Sequence, residues 1–202
     1  MNPVSVGQPA PPFRLPAAAG GELGPQDYRG KANVIVWFTK GMGCPFCRQQ
    51  MSQIARGHER FRQRNAEVLL VSVTKPERAR FYARNFRIPF HYLCDPDYAA
   101  RRSWGLDFRA HSPLWYATAF AAGARMTPPE NDFGKFLPSL RELPGVLTDD
   151  DMGFFVLDRE GIVRRAVTGS YATANGLREL PSNDEIERLL DECERSAAAA
   201  PA

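Results

Sequence analysis

No window of this chain approaches the roughly 18 consecutive apolar residues that a membrane span needs. Met1 to Phe13 lacks the basic start and apolar stretch of a secretory leader, so a cytoplasmic location is the expectation. Charge of one sign is not in excess either. The 26 Lys and Arg face 23 Asp and Glu, for a formal charge of +3, and the arginines are scattered rather than gathered in one run. That argues against a nucleic-acid binder. Histidine is scarce, at three, and cysteine numbers only four in 202 residues. So few cysteines exclude a disulfide scaffold. Zinc usually takes four ligands, and no second Cys-x-x-Cys or His pair exists to supply them. Neither a metal nor an organic cofactor is therefore expected. No Ser/His/Asp arrangement stands out, because His111 beside Ser112-Pro113 specifies nothing by itself. A hydrophobic fraction of 44% and a charged fraction of 24% suit an ordinary globular protein. The length suits one well-buried domain.

What the chain does have is Trp37-Phe38-Thr39-Lys40-Gly41-Met42-Gly43-Cys44-Pro45-Phe46-Cys47-Arg48. The apolar run Val34 to Phe38 reads as a buried strand, and the residues after Cys44 read as a helix. A Cys-x-x-Cys pair at a strand-to-helix turn is a redox arrangement, since one helical turn brings the thiols within disulfide reach. Cys44 would start the helix, with Pro45 at the first helical position, where a missing N–H is no loss. Free amides and the positive end of the helix dipole stabilise a thiolate there. They can lower a thiol pKa from about 8.5 into a range of roughly 3.5–7.5. Cys47, Met51, Ile54, His58 and Phe61 share one helical face, so Cys47 is expected to point to the core and Cys44 to sit at an exposed tip. Phe38, Thr39, Gly43 and Pro45 would line the site, with Arg48 close enough to favour a thiolate.

The other segments follow a layered plan. Residues 1–31 are rich in Pro and Gly, with a short edge strand at Phe13-Arg14-Leu15, a turn at Gly20-Gly21 and a brief turn or helix at Gln26 to Gly30. The first long helix should run to about Asn65. Val68 to Val73 is a second buried strand, Pro76 to Asn85 a helix, and Phe90 to Cys94 a third strand. Asp95-Pro96 reads as a cap and first helical position, launching a helix that ends near Trp104-Gly105. This alternation implies an α/β sheet with crossovers. Residues 107–150 break the rhythm and read as an insertion, with a helix at Leu114 to Ala124. Its aromatics, Trp115, Tyr116, Phe120, Phe133 and Phe136, suit a flap on the sheet, a lid over an apolar pocket or a homodimer contact. Phe154 to Leu157 and Ile162 to Val167 form a hairpin about Asp158-Arg159-Glu160-Gly161. Ser182-Asn183-Asp184-Glu185 is a capping box for a last helix with Ile186, Leu189, Leu190 and Cys193 on one face, before a frayed Ala197 to Ala202 tail. His58, His91, Cys94 and Cys193 all read as core residues.

The ordered set of these pieces resembles the alkyl hydroperoxide reductase/thiol-specific antioxidant branch of the thioredoxin-like superfamily, which includes the peroxiredoxins. Val6-Gly7-Gln8-Pro9-Ala10-Pro11-Pro12-Phe13-Arg14-Leu15-Pro16 is similar to its N-terminal signature, and Asp27-Tyr28-Arg29-Gly30-Lys31 to its lead-in. Leu93 to Asp97 with Trp104-Gly105-Leu106 resembles its "D-P…Y-G" segment, and Phe154 to Gly161 its late hairpin. The likeness covers most of 4–106 and 152–192. It implies a single domain over 1–202, of α/β thioredoxin-like fold with a central mixed sheet flanked by helices. Peroxiredoxins usually carry Pro-x-x-x-Thr-x-x-Cys. With Cys47 as that cysteine, the Thr and Pro positions hold Cys44 and Lys40; with Cys44, they hold Gly41 and Trp37. The family's second peroxide-binding arginine falls near Met152. Gly-Cys-Pro-Phe-Cys instead resembles a Cys-x-x-Cys subgroup.

The resemblance implies a thiol-dependent oxidoreductase that reduces hydroperoxides through a Cys44/Cys47 dithiol–disulfide cycle. The dithiol would be regenerated by a thioredoxin-type or low-molecular-weight thiol. Cys44 is the expected attacking thiol, from its expected exposure, whereas the peroxiredoxin alignment favours Cys47. A thiol–disulfide oxidoreductase acting on protein disulfides stands beside this reading, as does a redox sensor that oxidises without turnover.

Overall fold

The structure, a computed structural model, describes residues 4–106, 108–109, 112, 114, 133, 149–173 and 176–198. β1 (Leu15–Pro16) and β2 (Glu22–Leu23) pair with each other, and five further strands form the main sheet, in the order His91–Cys94, Ala66–Ser72, Asn33–Thr39, Met152–Leu157, Val163–Gly169. In chain order these are β3 (Asn33–Thr39), β4 (Ala66–Ser72), β5 (His91–Cys94), β8 (Met152–Leu157) and β9 (Val163–Gly169). β3 runs parallel to β4 and antiparallel to β8, which makes the sheet mixed. The helices packed with it include α1 (Pro45–Arg62), α2 (Pro76–Asn85), α3 (Ala99–Ser103) and α4 (Asn183–Ala198).

Every residue of β3 is buried, as a central strand covered on both faces should be. The side-chain period of two still sorts them. Ile35 and Trp37 join Met51, Ile54 and Phe61 of α1 and Ile186 and Leu190 of α4. Val34, Val36 and Phe38 face the other way, onto Phe13, Trp104, Phe155 and Leu157. Phe38, Trp104 and Phe155 pack with ring centroids 4.8–6.2 Å apart.

The α1 stripe is as expected: Cys47, Met51, Ile54, His58 and Phe61 are all buried. The helix ends at Arg62 rather than near Asn65. Asn65 adopts φ 53, a left-handed turn that lets its carbonyl accept the Asn33 N–H at 2.9 Å and start β4 beside β3. The first edge strand lies at Leu15–Pro16, a residue or two beyond its expected place, and pairs with Glu22–Leu23 across the Gly20-Gly21 turn. The segment after β5 also differs. Asp95 is not followed at once by a helix; a turn intervenes and α3 begins at Ala99. Asp95 nonetheless caps it, because its carboxylate accepts the Ala100 and Arg101 N–H groups at 3.2 and 2.9 Å.

Two short strands, β6 (Phe108–Arg109) and β7 (Asp149–Asp150), pair antiparallel and close the base of the 107–150 excursion. Of the expected helix at Leu114 to Ala124 only Leu114 is described, helical and exposed; the rest of it, the aromatics Trp115, Tyr116, Phe120 and Phe136, and His111 lie outside the described residues. Phe133 is described, and it is buried in the cluster that contains Cys44 and Cys47. At the other end, Ser182 Oγ accepts the Glu185 N–H at 3.2 Å, while the Glu185 carboxylate takes Arg165 at 3.0 Å instead of closing the box. The helix continues through Ala198, past the expected onset of fraying. Sequence reading missed the small hairpin β10 (Ala172–Thr173) and β11 (Gly176–Leu177).

Candidate active site

β3 and β4 end level with each other, Thr39 opposite Ser72, and the chain then turns through Lys40 to Gly43 into α1. Gly41 makes that turn at φ +77, and a Cβ there would stand 2.2 Å from the Tyr92 hydroxyl and 2.5 Å from Ser72 Oγ. Only glycine fits. The Tyr92 hydroxyl accepts the Met42 N–H at 3.4 Å and is itself bound to Ser72 and Thr74. The Arg48 guanidinium donates to the Met42 carbonyl at 3.2 Å, tying the loop to the second turn of α1. Arg48 is 4% exposed; burial lowers its pKa, and the negative charge of the cysteine pair works against that. It therefore lines the site from within rather than from solvent. Gly43 is buried beside it.

Cys44 is the N-cap of α1, with Pro45 in the first turn, and its sulfur accepts the Cys47 N–H at 3.4 Å. The cap position matches expectation, but the exposed tip does not. Cys44 is 5% exposed and Cys47 0%. Nor is Cys44 the acidic thiol. Burial raises its pKa, and its hydrogen bond to Cys47 and that group's charge raise it further, against the pull of Lys40 and the Cys47 N–H. For Cys47 burial also opposes ionisation, but the opposing forces win. The Cys44 thiol, the neighbouring Thr39 and Tyr171 hydroxyls and the positive charge of Lys40 bring it down from 9.0 to about 6. The pair therefore keeps a proton on Cys44 and negative charge on Cys47.

Thr39 Oγ1 accepts the Gly41 N–H at 3.3 Å and the Tyr171 O–H at 2.8 Å. Half-buried Lys40 sets its ammonium 5.8 Å from the Tyr171 ring centroid. Met152 is fully buried in the same cluster, its sulfur 3.7 Å from the Gln50 amide, and brings no charge. Phe38 faces the opposite layer and supports the strand rather than the thiols. A guanidinium does reach this end of the sheet, from an unexpected element. Arg101 of α3, 1% exposed, donates to the Thr39 carbonyl at 3.1 Å and to the Asp151 carbonyl, pinning the end of β3 to the start of β8. Sequence reasoning missed Tyr171, Lys40 and Arg101 as site residues, since none shares a spacing pattern with the cysteines.

The remaining candidates sit apart. Cys94 and Cys193 are buried thiols pushed up to about 11 by burial. Burial lowers the pKa of His58, which packs against Phe90. His91 meets the Tyr28 hydroxyl at 3.0 Å.

A mixed sheet with a Cys-x-x-Cys turn at the carboxyl end of its central strand, opening a core helix, defines a domain of thioredoxin-like fold with a dithiol at the strand-to-helix turn. The AhpC/TSA family model matches residues 6–166, and the chain belongs to that family. Among curated proteins it is 31% identical over 103 residues to the chloroplastic peroxiredoxin Q of Populus jackii, covering 51% of this chain and 48% of that one. It is 27% identical over 106 residues to peroxiredoxin Bcp of Escherichia coli, covering 52% and 67%. The match to the first of these spans about half of the relative's length. Among solved structures, peroxidoxin BcpB of Mycobacterium tuberculosis superposes with a TM-score of 0.60 at 14% identity, over 98% of this chain and 99% of that one. That likeness shows the fold.

Proposed function

We propose that this protein is a thiol peroxidase in which Cys47 attacks the hydroperoxide and Cys44 resolves the product. The depressed pKa of Cys47 carries the reading: at neutral pH its sulfur is mostly the nucleophilic thiolate, while Cys44 stays protonated. Family membership supports the choice of oxidant. The Cys47 thiolate attacks one peroxide oxygen and the O–O bond breaks. The other oxygen leaves as alkoxide and takes a proton to become the alcohol, or water from hydrogen peroxide. Cys47 is now a sulfenic acid. The Cys44 sulfur gives up its proton and attacks the Cys47 sulfur; hydroxide leaves with that proton as water, and a Cys44–Cys47 disulfide forms. An external dithiol then reduces it through a mixed disulfide. A thioredoxin-type donor, or a small thiol acting twice, fits that step. A reducing compartment such as the cytoplasm keeps the donor supplied.

Both sulfurs are closed off by neighbouring side chains, so oxidant size is a useful variable. The test is single-turnover oxidation of the reduced protein by hydrogen peroxide and by cumene hydroperoxide. Rates well above a free thiol, lost in Cys47→Ser and kept in Cys44→Ser with sulfenic acid accumulating, are expected. Rates like a free thiol, together with rapid reduction of insulin disulfides, would favour a disulfide oxidoreductase. Oxidation without turnover under any donor would favour a sensor.

A further inference from the structure

α2 and its flanks are basic. Between Lys75 and Phe90, the side chains of Lys75, Arg78, Arg80, Arg84 and Arg87 meet a single carboxylate, Glu77. The whole chain carries only +3, so this one stretch holds more net positive charge than the molecule. Lys75, Arg80, Arg84 and Arg87 are exposed, and none of them pairs with a carboxylate among the described residues. Arg80 and Arg84 stand one turn apart on the same helix face, and Phe81, three residues before Arg84, adjoins it. Phe81 is 42% exposed, with the Arg78 guanidinium over its ring at 4.7 Å. An exposed ring among arginines has the composition of a protein interface, in which aromatics and Arg are enriched.

The position of α2 ties this face to the thiols. The helix follows β4 at the end where Ser72 stands opposite Thr39. There the Thr74 hydroxyl is 3.0 Å from the Tyr92 hydroxyl, which accepts the Met42 N–H. Lys75, the N-cap of α2, therefore marks the thiol end of the sheet. From it the 10 residues of helix carry the basic face roughly 15 Å along the flank. That is too long for a small substrate, and it fits a protein footprint of about 800 Å² a side. A second copy of this chain is a poor complement. The carboxylates of its acidic helix, α4, are already matched, Glu187 to Arg60 at 2.8 Å, Asp191 to Arg64 at 2.9 Å and Glu185 to Arg165 at 3.0 Å.

We propose that this face of α2 docks an acidic protein that delivers the reducing dithiol. The proposal rests on a Cys44–Cys47 disulfide as the oxidised state of the cycle. One donor thiolate bonds to a sulfur of that disulfide as its S–S bond breaks, and the second donor thiol displaces the first. The donor leaves as a disulfide, two electrons poorer, and its two protons pass to the released Cys44 and Cys47 or to solvent. Opposite charge steers the donor to the site and speeds encounter, an effect that salt screens.

The test starts from protein whose disulfide has been formed with diamide, so missing peroxidase activity would sink the function without touching the docking face. Reduction is followed by stopped flow with a thioredoxin of net negative charge and, in parallel, with uncharged dithiothreitol. The thioredoxin rate should fall as salt is added. Arg80→Glu/Arg84→Glu should slow it roughly ten-fold or more at low salt and flatten the salt dependence, and Phe81→Ala should slow it at high salt as well. Both arginines are exposed, so the double variant should melt like the wild type. Dithiothreitol should reduce every variant at the wild-type rate. Equal thioredoxin rates for wild type and Arg80→Glu/Arg84→Glu would overturn the proposal. So would a slowing shared by dithiothreitol, which would place the charge effect in the site itself. Fixed thioredoxin rates, with the same substitutions dissolving a dimer or releasing a bound oligonucleotide, would give the face to a second copy or to nucleic acid instead.

Discussion

Cys47 gives up its proton near 6 while Cys44, one turn away, keeps its own. In a Cys44→Ser protein, alkylation of Cys47 should reach half its maximum well below the pH at which a free thiol does and level off once the thiolate is fully formed. The same shift has a sign in stability. The unfolded thiol holds its proton up to 9.0 and the folded one only to about 6, so the unfolded state binds more protons between those values. The thiolate's contribution to the stability of that reduced variant should rise with pH across this window, be complete above 9 and be gone once the pH has fallen through 6. Thermal melts of Cys44→Ser against the Cys44/Cys47 double serine would reveal it, and equal slopes would mean the thiolate is not stabilised by folding. Lys40 contributes through charge alone and is half-exposed. Lys40→Gln should therefore raise the Cys47 midpoint, and should abolish its dependence on added salt. A midpoint that responds to salt equally in both proteins would assign the effect elsewhere. The cysteine pair was legible from its spacing, because one helical turn is a local fact. The division of labour was not. It depends on Tyr171 and Lys40, and no local period links a cysteine to a tyrosine 124 residues away.

The elements were read best where periodicity is strong and worst where tertiary bonds set the boundary. α2 spans Pro76–Asn85 as its proline start and apolar face imply, whereas α3 begins after a turn that Asp95-Pro96 does not announce. The carboxylate of Asp95 reaches across that turn to two α3 amides, so capping chemistry was legible and its offset was not. Asp95→Ala leaves those buried N–H groups without their acceptor and should lower stability by roughly 1–2 kcal/mol in urea unfolding. Because α3 presents Arg101 to Thr39 and Asp151, the same variant should also loosen the end of β3. An unchanged urea midpoint would show that water replaces the cap. The turn into α1 is more demanding. Gly41→Ala adds both a left-handed strain and a clash with the buried Tyr92 and Ser72 hydroxyls. A loss of about 2 kcal/mol or more, with an altered Cys47 titration, is the expected outcome. A variant that melts like the wild type would mean that the loop can relax without displacing α1.

On the scale of the whole molecule, the question is whether the redox cycle needs the fold to open. Cys44 caps α1 and Cys47 lies in its first turn, with the Cys47 N–H already 3.4 Å from the Cys44 sulfur. A bond between the two sulfurs can form at this end of the helix alone. The rest of α1 is anchored by Met51, Ile54 and Phe61 in the core and by Gln53 and Arg60 contacts to the chain around α4, with Arg64 just past its end paired to Asp191. Unwinding it would sacrifice core burial worth roughly 1.5–3 kcal/mol for each large apolar side chain exposed. The disulfide itself closes a loop of only four residues, which limits its chain-entropy stabilisation to about 2 kcal/mol. Oxidation also removes the thiolate and the hydrogen bonds it accepts, offsetting part of that gain. Reduced and oxidised forms should therefore share one fold and melt within a few degrees of each other. Amide exchange should change in Gly41 to Arg48 and stay fixed from Met51 onward. Loss of protection through Met51 and Ile54 on oxidation would mean that the cycle proceeds by unwinding α1, and that the tight spacing of the two cysteines does not spare the helix.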